Sequence, residues 1–200
     1  MSQLAVVFDT ETTGIPDWKN PSEAEHQPHI VEIAATLYSA QGAVIDSFQA
    51  IVKPDGRVIP DELAEIHGIT QEMAMEVGIS EIDALKGFLA LHDRAGIRVA
   101  HNATFDDRIV RIGLMRYFDE ERANAFRDGS EKFCTCNKSR GPVGLGKLPT
   151  LAEAYKHFTG EDLVNAHRAM PDAQACARIY FALQGVEMPE AEALDAAVES

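Results

Sequence analysis

The stretch LAVVFDTETTG, residues 4–14, limits the possible folds of this chain more than any other. Leu4 to Phe8 run without a polar break, the pattern of a strand covered on both faces, with helices above and below its sheet. The run ends in Asp9 and Glu11. Side chains alternate along a strand, so these two acids share one face. Like charges held that close in an apolar setting are costly unless something positive lies between them. A loop cap or a lysine partner is one answer, but the nearest base, Lys19, is far along the following loop. A hard divalent cation is the other, because carboxylate oxygens suit magnesium or manganese.

The segments IVEIAATLYS and AVIDSFQAIVKP flank AQGA and predict an antiparallel hairpin. Helical patterns follow at DELAEIHG, TQEMAMEV and SEIDALKGFLALHDR, the last opened by Ser80 with Asp83 three residues on. IRVA is a short strand, and DDRIVRIGLMRYF a helix. KFCTCNK is expected as a strand and SRGPVGLGK as a loop, with helices at TLAEAYKHF and PDAQACARIYFALQG. Three strands, then helices alternating with strands, predict a mixed α/β sheet with helices packed on it. The 200 residues suit one domain, taken as 1–186, with an acidic tail at 187–200.

Cys134, Cys136 and Cys176 are too few, and odd in number, for a disulfide framework. The C-x-C pair lacks zinc-site spacing and is expected on one face of a strand. No apolar run reaches the roughly 20 residues that span a bilayer. The start MSQLAVVFDTE has no basic leader, so a soluble, cytoplasmic protein without a membrane partner is expected. The net charge of −14 argues against a protein that coats long nucleic acid. Residues 131–171 are the exception, with six bases against four acids. Lys138, Arg140 and Lys147 there meet either phosphates or only solvent.

Later acids are of the kind the first pair needs. VAHNATFDDRIV places Asp106 just after a strand, with Asp107 about 100° round the helix, so only one of them can face a given site. NAHRAMPDAQ sets Asp172 in the first turn of a helix, behind Pro171, with His167 on the loop before it. A loop histidine can titrate near neutral pH. Each residue alone also reads as a helix-start acid or a surface histidine.

Taken together, FDTETTG, AHNATFD and AHRAMPDA resemble, in order and spacing, the three motifs of the DEDDh, or DnaQ-like, 3′–5′ exonucleases, and EIHGIT a fourth segment of that group. The likeness spans residues 4–185, and HNATFD with FCT looks most like the bacterial exodeoxyribonuclease X branch. The resemblance implies a ribonuclease H-like fold, a mixed five-stranded sheet flanked by helices. It also implies two divalent cations, Mg2+ or Mn2+, held by Asp9, Glu11, Asp106 and Asp172. Asp9 would bridge both ions, Glu11 and Asp172 complete one site, and Asp106 hold the second. His167 is implied as the general base.

The implied product is a nucleoside 5′-monophosphate cut from a single-stranded 3′ end, with DNA favoured over RNA. Thr10, Thr13 and Gly14 are expected around the terminal nucleotide. Ile66 and His67 are expected at its base or sugar, although Ile66 also fits a core position. Asn102 either contacts substrate or fixes the loop that carries Asp106. Two alternatives stand beside this reading: an exoribonuclease of the same family, and a polymerase-associated proofreading subunit. Only about fifteen residues follow the last helix, which favours a free-standing enzyme.

Overall fold

The computed structural model describes residues 3–164 and 166–188. Five strands, β1 (Ala5–Thr12), β2 (Ile30–Tyr38), β3 (Val44–Ile51), β4 (Ile97–Ala100) and β5 (Glu131–Cys134), form one sheet in the order β3-β2-β1-β4-β5. The β1–β2 and β2–β3 pairs are antiparallel; β1–β4 and β4–β5 are parallel. The expected mixed five-stranded sheet is therefore present. The parallel strands β1 and β4 open their C-terminal ends on the same edge, where ligands bind in open α/β sheets.

The alternation of β1 divides the core. Val6 and Phe8 face the larger cluster, with Leu85 and Phe88 of α3 (Glu81–His92), Ile109 and Leu114 of α4 (Ala103–Tyr117), and Phe126 of α5 (Glu120–Asp128). Ala5 and Val7 face Cys176, Ala177 and Phe181 of α8 (Ala169–Leu183). Asp9 and Glu11 continue the second row and so point toward α8. Two short helices, α1 (Asp61–His67) and α2 (Gln71–Val77), lie over a small cluster of Val31, Ile59, Ile69 and Ala74. Local chemistry sets the helix starts: Ser80 accepts from the Asp83 amide, and Thr150 with Glu153 forms a full capping box at α7 (Leu151–Thr159).

Two expectations are corrected. Strand β5 ends at Cys134, and Thr135–Val143 form helix α6, so Cys134 and Cys136 do not share a strand face. SRGPVGLGK is no loop up to Val143: Gly141 and Pro142 sit in the last turn, where broken hydrogen bonds cost least, and Gly144 closes the helix in the left-handed region. Most of the basic segment is also engaged within the fold. Lys132 pairs with Asp107, Lys147 with Glu153, Lys156 with Asp162 and Arg168 with Glu32, while Lys138 lies over the Phe133 ring. The expected acidic tail lies outside the described residues from 189 onward. Among those described, no helix is long and apolar enough to cross a membrane.

Glu81, 3% exposed, ties three elements together. One oxygen accepts from the Ile30 amide at 3.1 Å, the other from His29 Nδ1 at 2.8 Å and Tyr117 Oη at 3.0 Å. Burial alone raises its pKa, but the His29 and Ile30 hydrogen bonds and the Arg116 charge outweigh that and hold it below the usual value. A depressed carboxylate stabilises the fold above its unfolded pKa, and that stability is lost as pH falls through the folded pKa. Glu81→Ala should cost about 3–5 kcal/mol in urea unfolding at pH 7. The difference from wild type should shrink as the pH is lowered below about 4.

Candidate active site

Asp9 and Glu11 sit near the C-terminal end of β1, and Asp172 in the first turn of α8 faces them. Their carboxylate oxygens all lie within 4.8 Å of one another. Asp172 Oδ2 accepts from the His167 amide at 3.0 Å, while its Oδ1 is buried without a hydrogen-bond partner. Burial is the largest cause that raises the pKa of each of the three acids, followed for Asp9 by the charges of Asp106 and Glu11. Glu11 is pushed up to about 7 by burial and by Asp172 and Glu32, with Arg168 opposing.

Asp106 reaches the site from the other face of the sheet. It lies on α4, 2% exposed, and its Oδ1 accepts from the Thr10 hydroxyl at 2.8 Å. It is not among the three acids whose oxygens cluster, but its charge is the nearest cause, after burial, of the raised Asp9 pKa. Asp106 itself is pushed up to about 7, chiefly by burial. Asp107 turns away to Arg98, with Nε to Oδ1 at 3.0 Å, so the helix resolves the choice between the two. Asn102 starts α4 in the left-handed conformation, φ 68°, with its carbonyl accepting from the Phe105 amide; its side chain makes no cap bond.

A buried acid that sequence reasoning passed over holds the other wall. Glu32 of β2 lies directly across from Glu11 and is fully buried. It receives Arg168 Nε at 3.0 Å, Arg168 Nη2 at 2.8 Å, the Ala169 amide at 3.0 Å and Gln49 Nε2 at 2.8 Å. This bidentate pair anchors the loop just after His167. His167 is exposed, with φ 67°, and its ring makes no hydrogen bond to a described residue. A non-glycine residue held in that strained region by anchors at its own amide and at the two residues after it is a mark of functional sites. A lone acid inside the otherwise apolar IVEIAATLY was the signal available in the sequence.

The expected substrate contacts fall out unevenly. Thr10 lies within β1 rather than beyond it, and its buried hydroxyl donates to Asp106. The Thr13 amide and hydroxyl both bond to His29. Gly14 has open space around it: a Cβ there would meet nothing within 4 Å. Ile66 is 53% exposed, which removes its core alternative. His67 is buried, its Nδ1 accepting from the Ile69 amide at 3.1 Å. Both residues line a cleft of about 610 Å³ together with His167, Arg168, Met170 and Gln174.

Residues 6–180 match the sequence profile of the exonuclease family. The chain belongs to that family. This exonuclease is 31% identical over 176 residues to the PolC-type DNA polymerase III of Staphylococcus aureus, covering 88% of this chain and 11% of that protein. It is 29% identical over 183 residues to the DNA polymerase III subunit epsilon of Salmonella typhimurium, covering 90% and 71%. Its fold matches exonuclease I with a TM-score of 0.76 at 20% identity, over 92% of this chain and 41% of that one. E. coli exonuclease I in complex with a dA16 oligonucleotide matches at a TM-score of 0.74 and 19% identity, again over 92% and 41%. The exonuclease thus spans about a tenth of the PolC-type polymerase and about two fifths of exonuclease I.

The donor set suits the divalent metals that exonucleases of this family require. Three carboxylates converge with one oxygen unpartnered, and their mutual repulsion is the arrangement that a hard cation relieves.

Proposed function

We propose that the chain is a metal-dependent 3′–5′ exonuclease that removes nucleoside 5′-monophosphates from single-stranded DNA. The observation that carries this reading is the convergence of Asp9, Glu11 and Asp172, with Asp172 Oδ1 buried and unpartnered, next to His167 and Pro171 of the cleft wall. Asp9, Glu11 and Asp172 would hold one divalent cation, and Asp9 with Asp106 a second, Mg2+ or Mn2+ by the hardness of an all-oxygen donor set. Such ions neutralise the phosphodiester and the charge that develops on the attacking and leaving oxygens.

The protein's own part is positioning and proton transfer. Thr10 fixes the Asp106 carboxylate by its hydroxyl. Asp172 holds the His167 backbone, and Glu32 holds Arg168 and Ala169, so the end of the loop that carries His167 is fixed. His167 then takes the proton of the attacking water as general base. Ile66 and His67 bound the cleft where the terminal base and sugar would rest. The DNA preference is supported by relatives named as DNA polymerase III and by exonuclease I solved with single-stranded oligodeoxynucleotides. The narrower likeness to exodeoxyribonuclease X rests on HNATFD and FCT.

Arg168→Ala should lower kcat by roughly 10- to 100-fold, the usual effect of losing a partner that orients a functional residue. KM should change little, and Arg168→Lys should regain only part, because an ammonium cannot make the bidentate contact. Equal kinetics of Arg168→Ala and wild type would show that the loop keeps its place without the Arg168–Glu32 pair. Hydrolysis of matched DNA and RNA oligonucleotides tests the substrate: faster cutting of DNA supports the reading, and faster cutting of RNA replaces it with an exoribonuclease.

A further inference from the structure

Ile15 to His29 make up most of the connection from β1, which ends at Thr12, to β2, which begins at Ile30, and the chemistry above uses none of them. They form a built loop. Gln27, 1% exposed, donates its side-chain amide to the carbonyls of Asp17 at 2.9 Å and Pro21 at 3.0 Å, and accepts from the Asp17 amide at 3.0 Å. Arg116 donates to the Gln27 carbonyl at 2.9 Å, and Arg108 to the Asn20 carbonyl. The ends close through Thr13 and His29: the Thr13 amide donates to the His29 carbonyl at 3.0 Å, and the His29 amide to the Thr13 hydroxyl at 2.9 Å.

On this rigid frame Trp18 is 54% exposed. An indole is mostly covered in folded proteins, and here the frame holds it out rather than letting it fold in. The frame also fixes its place. The loop leaves β1 just past Glu11, and the Asp17 and Asn20 carbonyls, before and after Trp18, accept from Arg108 of α4, the helix that also carries Asp106. Trp18 therefore stands on the α4 side of the sheet. Its own loop carries Asp17, Glu23 and Glu25 against Lys19, so the loop itself is not a basic patch that draws a polyanion. A neutral π-face binds bases without one, and every base has a face to stack.

We propose that Trp18 is a stacking platform for a base of single-stranded nucleic acid upstream of the nucleotide being removed. The proposal rests on the exonuclease reading above. Trp18 is the only tryptophan in the chain, so its fluorescence reports this contact alone. In the His167→Ala chain with Mg2+, where cutting is slow, a ten-nucleotide oligothymidylate should quench it to saturation, and a dinucleotide should not.

With His167 intact, Trp18→Ala should raise KM for the ten-mer about tenfold and leave kcat and dinucleotide hydrolysis unchanged; Trp18→Phe should regain most of the loss. The salt slope of binding should stay the same, since a neutral contact releases no counterion. Hydrolysis of the ten-mer with unchanged fluorescence and an unchanged KM in Trp18→Ala would overturn the platform and leave the exonuclease reading standing. Quenching by the ten-mer without hydrolysis of any oligonucleotide by the wild-type chain would do the reverse.

Discussion

Asp9→Asn is expected to abolish hydrolysis and, in the same protein, to raise the melting temperature of the metal-free state. Activity should fall roughly 10³-fold or more, because one preorganised electrostatic group alone is worth roughly 10²–10³ in kcat. The stability gain has a separate cause. Asp9 carries a carboxylate among Asp106, Glu11 and Asp172, and burial and these charges raise its pKa well above the ordinary value. A raised carboxylate pKa means that the fold binds the proton more tightly than the unfolded chain does. Metal-free stability therefore falls as pH rises from about 4 through the raised folded values, which for Glu11 and Asp106 are about 7.

Replacing this ionisable carboxyl by a neutral amide should recover about 1–2 kcal/mol at pH 8, or roughly 2–8 °C for a domain of this size. Thermal melts in EDTA measure it. A variant that melts lower than wild type there would mean that Asp9 is a structural acid rather than one of a repelling set. Mg2+ or Mn2+ should raise the melting point of wild type, by about 2.7 kcal/mol of added stability at a hundred times Kd. The same ions should do far less for Asp9→Asn.

His167→Ala should separate the proton transfer from the metal site. The rate should drop by roughly 10²–10⁴, the usual worth of a positioned general base. The cation-induced rise in melting temperature should be kept, because the hydrogen bond from His167 to Asp172 comes from the backbone amide, which alanine retains. Unchanged kinetics would remove His167 as the base. Loss of the thermal shift would make it part of the metal site instead.

These two variants concern residues that were legible in the sequence, for reasons that can be named. The apolar run into Asp9 and Glu11 shows burial and paired charge directly, because strand alternation is a local rule. His167 and Asp172 share a turn, so their association is also short-range. The choice between Asp106 and Asp107 came from family resemblance; the physical reason, Arg98 drawing Asp107 away, lies across the packed helix and strand. Glu32 escaped because its role depends on register: only the pairing of β1 with β2 sets it opposite Glu11, and only folding brings Arg168 across to it.

Thr10 was misplaced for the same reason. Alternation turns it away from Asp9 and Glu11, but that direction leads to Asp106 only once α4 is packed against the sheet. At Cys134–Val143, Gly141 and Pro142 read as breakers, and short β-prone runs around cysteines read as strand. The helix begins immediately after Cys134, a boundary that depends on where β5 stops pairing with β4.

The most direct test is a time course on a single-stranded DNA oligonucleotide labelled at its 5′ end, run with Mg2+ and with EDTA. The account predicts a ladder of labelled strands that shortens one nucleotide at a time with Mg2+, 5′-monophosphates as the released product, and no change in EDTA. Immediate release of the label as a mononucleotide, or equal degradation in EDTA, would contradict it.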